Sequence, residues 1–278
     1  MTQGYSADFL LTTVELPRPA TAVKVLDYTH FTICLNTQQR LAELAAVNID
    51  GDRLQDLPRE DSWRLDPRLA AELQAGEELY RGNDLDRGHL VRRLDPVWGS
   101  RAEAAKANTE TFFYTNAAPQ VNTFNQSKEL WLGLEDYLLD HADNYDTRLS
   151  VFTGPVFDSA DPQYRGFSIP LLFWKVAAWR AAEGIACTAY ILDQSPLLDE
   201  LELERQTAAA TAAGEIPPLG PYRTFQVPVQ DVQSLTGLGL EQLVEADRFT
   251  PRGHERDGRP RWLLLEKPEQ MRLKPGAG

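Results

Sequence analysis

The sequence predicts an α+β fold. Several segments are dense in β-branched and aromatic residues, as strands are; others repeat leucine or alanine at helical spacing; and the two kinds follow one another without regular βαβ alternation. At 278 residues the chain can bury a sizeable core, and no internal repeat divides it, so one domain spanning 1–278 is expected.

The elements read in order as follows. "VLDYTHFTICLN" is strand-like, "NTQQ" makes a turn, and "RLAELAAVNI" returns as a second strand closed by a turn at "DG". "DPRLAAELQA" predicts a short helix opened by Asp66 and Pro67. "HLV" reads as a strand that "VRRLDPVWG" leaves through Pro96; "SRAEAAKAN" follows as a helix capped by Ser100. "TFFYTN" is read as a short strand. In "ELWLGLEDYLLDHA", Leu130, Leu134 and Leu138 stand four apart, the stripe of an amphipathic helix. "RLSVFTGPVF", "IPLLFWKVAAW" and "IACTAYIL" predict buried strands. Residues 196–221 are acidic, then Ala/Thr-rich, then Pro-rich, and predict an exposed connection. "VPVQDVQSLTG" is a late helix, and "LKPGAG" a frayed end.

Composition excludes several classes. Two cysteines, Cys34 and Cys187, are too few for a disulfide framework or a cysteine zinc site; two reduced buried thiols are expected, with a single bridge the alternative. The first residues lack the basic segment and apolar core of a signal peptide, and no stretch has the length of a membrane span. The chain therefore reads as soluble, without a membrane partner and cytoplasmic as encoded, with export by another route left open. A net charge of −13 argues against a protein that coats nucleic acid electrostatically. It does not exclude an enzyme acting on nucleic acid, because residues 80–128 carry seven basic and five acidic side chains, a net of +2 against −15 elsewhere.

That least acidic stretch holds "DLDRGHLVRR", residues 84–93. His89 is a side chain whose charge can switch near neutral pH, and Arg87 offers a rigid fork to phosphate oxygens. Downstream lie Asn116, Asn122 and Asn125, then a helix carrying Glu135. Amide and carboxylate oxygens are hard donors that suit Mg²⁺, which keeps most of its waters and needs few protein ligands. A histidine base, an arginine, an asparagine ligand and a carboxylate suffice for metal-assisted phosphodiester hydrolysis. The other histidines read as structural (His30), solvated (His141) and loop-borne (His254). "AVNIDG" lacks the alternating acids of a calcium loop.

"DRGHL", "FFYTNAAPQ", "FNQ…LWLGLE", "VFTGPVF" and "IPLLFWKV", in that order between about Tyr80 and Trp179, resemble the successive blocks of the DNA/RNA non-specific endonucleases. These belong to the ββα-metal, or His-Me finger, group. The resemblance implies an α+β fold with a mixed, largely antiparallel sheet and flanking helices. It implies hydrolysis of DNA and RNA to 5′-phosphate and 3′-hydroxyl ends, with Mg²⁺ as cofactor and Mn²⁺ as substitute. His89 falls on the general base, Asn125 on the direct metal ligand, and Glu135 on the carboxylate that holds a metal-bound water. Arg87 falls on the phosphate-binding arginine and Asn116 on the active-site asparagine; Arg92 and Arg93 are further candidates for substrate. Some relatives are dimers, so a homodimer is an open reading, and the existence of an inhibitor protein is left open.

Two features depart from the family pattern. "SKEL" adds two residues between Asn125 and the tryptophan, which on a continuous helix rotates Glu135 by roughly 200°. The insertion is expected to loop out before the helix; otherwise Glu129, four after Asn125, takes the water-holding role. Where relatives carry a substrate arginine, this chain has Asp61, with Arg59 or Arg64 as substitutes. The alternatives are a phosphodiesterase for small substrates and a catalytically inactive module that binds nucleic acid or protein.

Overall fold

The structure is a computed structural model that describes residues 4–59, 61–122, 126–141, 147–198, 200–249 and 262–274; within these, the side chains of 126–129, 132, 139–141 and 200 are not described. The strands are β1 (Lys24–Asp27), β2 (Phe31–Asn36), β3 (Leu41–Asp50), β4 (Leu85–His89), β5 (Ala117–Val121), β6 (Arg148–Val156), β7 (Gln163–Tyr164), β8 (Phe167–Ser168), β9 (Leu172–Ala181), β10 (Gly184–Asp193), β11 (Arg223–Val227) and β12 (Leu263–Leu265). The helices are α1 (Glu77–Tyr80), α2 (Arg101–Glu110), α3 (Gln126–His141), α4 (Glu200–Ala213), α5 (Val229–Thr236) and α6 (Glu241–Glu245).

Eight strands form one antiparallel sheet in the order β1-β2-β3-β6-β9-β10-β11-β12. Both of its faces are covered, which is why its central strands read as nearly unbroken apolar runs. Alternate residues point to opposite sides. Ile33, Leu35, Val47, Ala177 and Trp179 meet the Leu130, Leu134 and Leu138 stripe of α3 on one face. Cys34, Leu44, Val176, Ala178 and Cys187 meet Leu10, Val14 and the α5–α6 region on the other. Gly154 of β6 has no room for a side chain, since a Cβ there would lie 2.4 Å from the Glu43 carbonyl oxygen of β3.

The two cysteines are buried and free. They share a face but stand on β2 and β10, four strand spacings apart, about 19 Å, beyond the reach of a disulfide. His30 is structural as expected: its Nδ1 lies 2.8 Å from the Pro96 carbonyl oxygen and its ring stacks on Trp98 with centroids 3.5 Å apart. His254 and the side chain of His141 lie outside the described residues, as do residues 275–278 of the C-terminal end. Among the described residues, no helix is long and apolar enough to cross a membrane.

Three local expectations are corrected. Residues 66–75 form turns and one short 3-10 turn, Ala71–Leu73, rather than a helix. The Asp66 carboxylate is taken by Arg68 and Tyr28, and the Gln74 amide bridges Asp66 N and O at 2.8 and 2.9 Å, bending the chain on itself. "TFFYTN" is a helix exit and a 3-10 turn, Tyr114–Asn116; its strand-like composition serves a single bridge between Phe113 and Arg64. Most described residues of 196–221 are exposed or half-buried, Pro217 and Gly220 are buried, and the segment contains helix α4, whose alanine-rich sequence satisfies its own backbone. Helix α2 begins as the sequence indicates, with Ser100 and Glu103 in a reciprocal capping box.

Candidate active site

The site is built on β4, β5 and α3. β4 and β5 pair antiparallel, apart from the large sheet, with Arg87 opposite Pro119, Gly88 opposite Ala118 and His89 opposite Ala117. Gly88 leaves room for the Gln120 side chain to cross over it: a Cβ there would lie 2.2 Å from Gln120 Cδ.

β4 ends at His89 because Asn116 captures the chain beyond it. Leu90 N donates to the Asn116 carbonyl at 3.0 Å and Val91 N to Asn116 Oδ1 at 2.9 Å. Asn116 Nδ2 in turn donates to the carbonyls of Val91 and Thr111 at 3.0 and 3.1 Å. This buried amide is fully engaged with backbone on both sides of the turn that carries His89.

The His89 ring sits against Trp63, centroids 4.6 Å apart, and edge-on to Phe112 at 5.1 Å. Its Nε2 is enclosed and has no hydrogen-bond partner. Burial first, then the positive charges of Arg59 and Arg93, push its pKa down to about 3. The ring is therefore neutral near pH 7, with one nitrogen able to accept a proton.

Arg87 Nη2 donates to Glu77 Oε2 at 2.5 Å, and the Tyr114 hydroxyl donates to the same oxygen at 2.5 Å. Tyr114 above all, then Arg87, holds the Glu77 carboxyl below the usual range. Arg87 Nε is buried without a partner. Arg93 Nη1 donates to the Leu57 carbonyl and to Asn108 Oδ1, both at 3.1 Å. Arg92 points the other way: both its Nη atoms meet Asp136 at 2.8 Å, and its Nε lies 3.4 Å from Asp95 Oδ1.

Arg92 thereby ties the His89 segment to α3, where a buried charged cluster lies. Glu135, 2% exposed, holds Lys175 Nζ of β9 with its Oε1 at 2.5 Å, while its Oε2 is buried without a partner. Burial, reinforced by the Glu135 charge, raises the Asp95 carboxyl above its ordinary range. Of the two candidates near Asp61, Arg64 packs over Phe113 at 4.2 Å and donates to the Thr109 carbonyl at 2.9 Å. Arg59 is the exposed one, and its charge reaches His89.

The expected loop-out of "SKEL" is not found: helix α3 runs unbroken from Gln126 to His141. The four residues contain no helix breaker, and Leu130 among them belongs to the buried stripe, so looping it out would expose core surface. Glu135 is nonetheless on the buried face. Asn125 and the Glu129 side chain lie outside the described residues. Sequence reasoning missed Glu77, Asp95, Asp136 and Lys175 as partners. The signal for Lys175 was present, a lone charge inside the apolar run "PLLFWKVAAW".

Among the described residues, no group of three or more His, Cys, Asp or Glu is placed to hold a metal ion directly. The orphaned Glu135 Oε2 fits a hydrated divalent cation, since one buried acceptor oxygen is what a metal-bound water needs.

The chain is similar to known proteins. A family model described as DNA/RNA non-specific endonuclease matches residues 12–247. Protein y4fB of Sinorhizobium fredii, itself uncharacterized, is 38% identical over 275 residues, covering 89% of this chain and 40% of its own. Human mitochondrial endonuclease G is 29% identical over 202 residues, covering 68% of this chain and 57% of its own. The chain thus spans about half the length of these relatives. The crystal structure of the EndoG/EndoGI complex, which addresses the mechanism of EndoG inhibition, contains a chain similar in fold. Its TM-score is 0.56 at 18% identity, covering 77% of this chain and 84% of that one.

Proposed function

Because the chain belongs to the DNA/RNA non-specific endonuclease family, we propose that it is a metal-dependent nuclease that hydrolyses phosphodiester bonds of both DNA and RNA. The observation that carries this reading is His89, an imidazole kept neutral by burial and by two arginines on the strand of a ββα unit. An unprotonated imidazole has a lone pair free to take a proton from water, and the anionic phosphate arriving beside it offsets the positive charges that hold its pKa down. In the proposed reaction the water oxygen bonds to phosphorus and its proton passes to His89. The bond from phosphorus to the 3′-oxygen breaks, leaving a 5′-phosphate and, once the 3′-oxygen is protonated, a 3′-hydroxyl.

Arg87 and Arg93 line the His89 segment, and with Arg59 they offset charge that builds on the phosphate oxygens. The fork of Arg92 is filled by Asp136, so Arg92 serves to fix the segment against α3. Asn116 holds the turn on which His89 stands. Mg²⁺, or Mn²⁺ in its place, would be held by Asn125 and, through its water shell, by Glu135, and would supply positive charge at the phosphate and the leaving oxygen.

Incubation of the purified protein with supercoiled DNA and with RNA, in Mg²⁺, Mn²⁺ or EDTA, tests the reading. Cleavage of both substrates that EDTA abolishes is expected. His89→Ala should lose about 10²- to 10⁴-fold in rate, the usual contribution of proton transfer, while folding like wild type. Wild-type turnover in the folded variant would remove His89 from the mechanism.

A further inference from the structure

Lys175 is 3% exposed in the middle of β9, where a charged side chain is costly unless paired. Its backbone is held on both sides, opposite Thr153 of β6 and Tyr190 of β10, and strand alternation turns its side chain toward α3. There its Nζ meets Glu135 Oε1 at 2.5 Å, donates to the Trp131 carbonyl at 3.1 Å, and lies 4.4 Å from the centre of the Trp131 ring. Two contacts with Trp131 thus hold the ammonium against one oxygen of a carboxylate whose other oxygen has no partner.

We propose that Lys175 is a positioning residue for the divalent cation: it captures Glu135 Oε1 so that Oε2 alone faces the cation's water shell. The inference rests on the nuclease reading above. A carboxylate with both oxygens free turns easily about its last torsion and can grip a cation directly with the pair. With one oxygen locked and its charge offset by the ammonium, Glu135 keeps a single, fixed acceptor, which favours a hydrated cation. A merely structural lysine would need only to neutralise the buried carboxylate, and arginine would then serve as well.

That difference supplies the test, made on the full chain with Lys175→Arg, Lys175→Met and Glu135→Gln. Three quantities are read: the Mg²⁺ concentration for half-maximal plasmid cleavage, Mn²⁺ binding by electron paramagnetic resonance without nucleic acid, and Tm in EDTA. Lys175→Arg should keep its Tm, because a guanidinium pairs with carboxylates through both oxygens. By taking Oε2 as well, it should raise the Mg²⁺ requirement about 10- to 100-fold and weaken Mn²⁺ binding in step, the range for loss of a group that supports a metal through its ligands. Lys175→Met should weaken both as well, and combining it with Glu135→Gln should add nothing further.

A folded Lys175→Arg with wild-type Mg²⁺ requirement and Mn²⁺ binding overturns the proposal. If neither Lys175 variant folds, Glu135→Gln decides, and wild-type metal behaviour there overturns it equally. Inactive His89→Ala beside unaltered metal dependence in the Lys175 variants sinks the positioning role alone. Absence of nuclease activity in the wild type sinks the nuclease reading, and Mn²⁺ binding still decides on Lys175.

Discussion

His89 links structure to pH through the sign of its shift. Its pKa in the folded protein is about 3, against roughly 6.5 in an unfolded chain. Between those values the unfolded chain binds the proton and the folded one does not, so stability falls as pH drops below about 6.5. His89→Ala lacks this penalty and should lose less Tm than wild type between roughly pH 7 and pH 5. Equal slopes would mean that the folded ring takes up the proton as readily as the unfolded one, and that burial does not lower its pKa. Arg59 and Arg64 separate at the same scale. Removing the exposed Arg59 should weaken nucleic-acid binding and reduce the salt slope by about 1, with Tm unchanged. Arg64→Ala should instead lower Tm, because its guanidinium packs over Phe113. The reverse pattern would make Arg64 the substrate arginine.

Helix α3 carries Glu135 between two residues of different kinds, buried Leu134 and exposed Asp136. Its place is set by the leucine stripe, so truncating the centre of that stripe should free the whole element. Leu134→Ala is expected to cost about 2–5 kcal/mol, read as a lower urea midpoint with unchanged slope. At α2 the capping box stands away from the chemistry: Ser100→Ala should cost about 0.5–2 kcal/mol and leave the cleavage rate at saturating Mg²⁺ untouched. A loss of rate in that variant would mean that α2 positions the site, through Asn108 and its bond to Arg93.

For the molecule as a whole, the net charge of −13 would meet a polyanion in the proposed reaction. Phosphate contacts weaken as salt rises, because counterions are released on binding. The acidic shell outside residues 80–128 repels nucleic acid, and salt screens that repulsion. The two effects oppose, so cleavage should peak at intermediate salt. A steady decline from the lowest salt would show that only the local arginines matter to the approach of substrate.

Strands β3, β6, β9 and β10, helices α2, α3 and α5, the His89 motif and the family were legible in the sequence, because each rests on periodicity, capping or residues close together in the chain; residues 25–36 were read as one strand where β1 and β2 form a hairpin, and β11 and β12 were not read. The turns at 66–75 and 111–116 were not, because there side chains such as Gln74, Asn116 and Arg64 meet the backbone's hydrogen bonds and override local propensity. The pairing of Arg92 with Asp136, Arg87 with Glu77 and Glu135 with Lys175 was decided only in three dimensions. So was the neutrality of His89. Each depends on which groups burial brings together across tens of residues. In water those charges would be solvated and independent; excluded from it, each takes its protonation and its partner from whatever the fold packs against it.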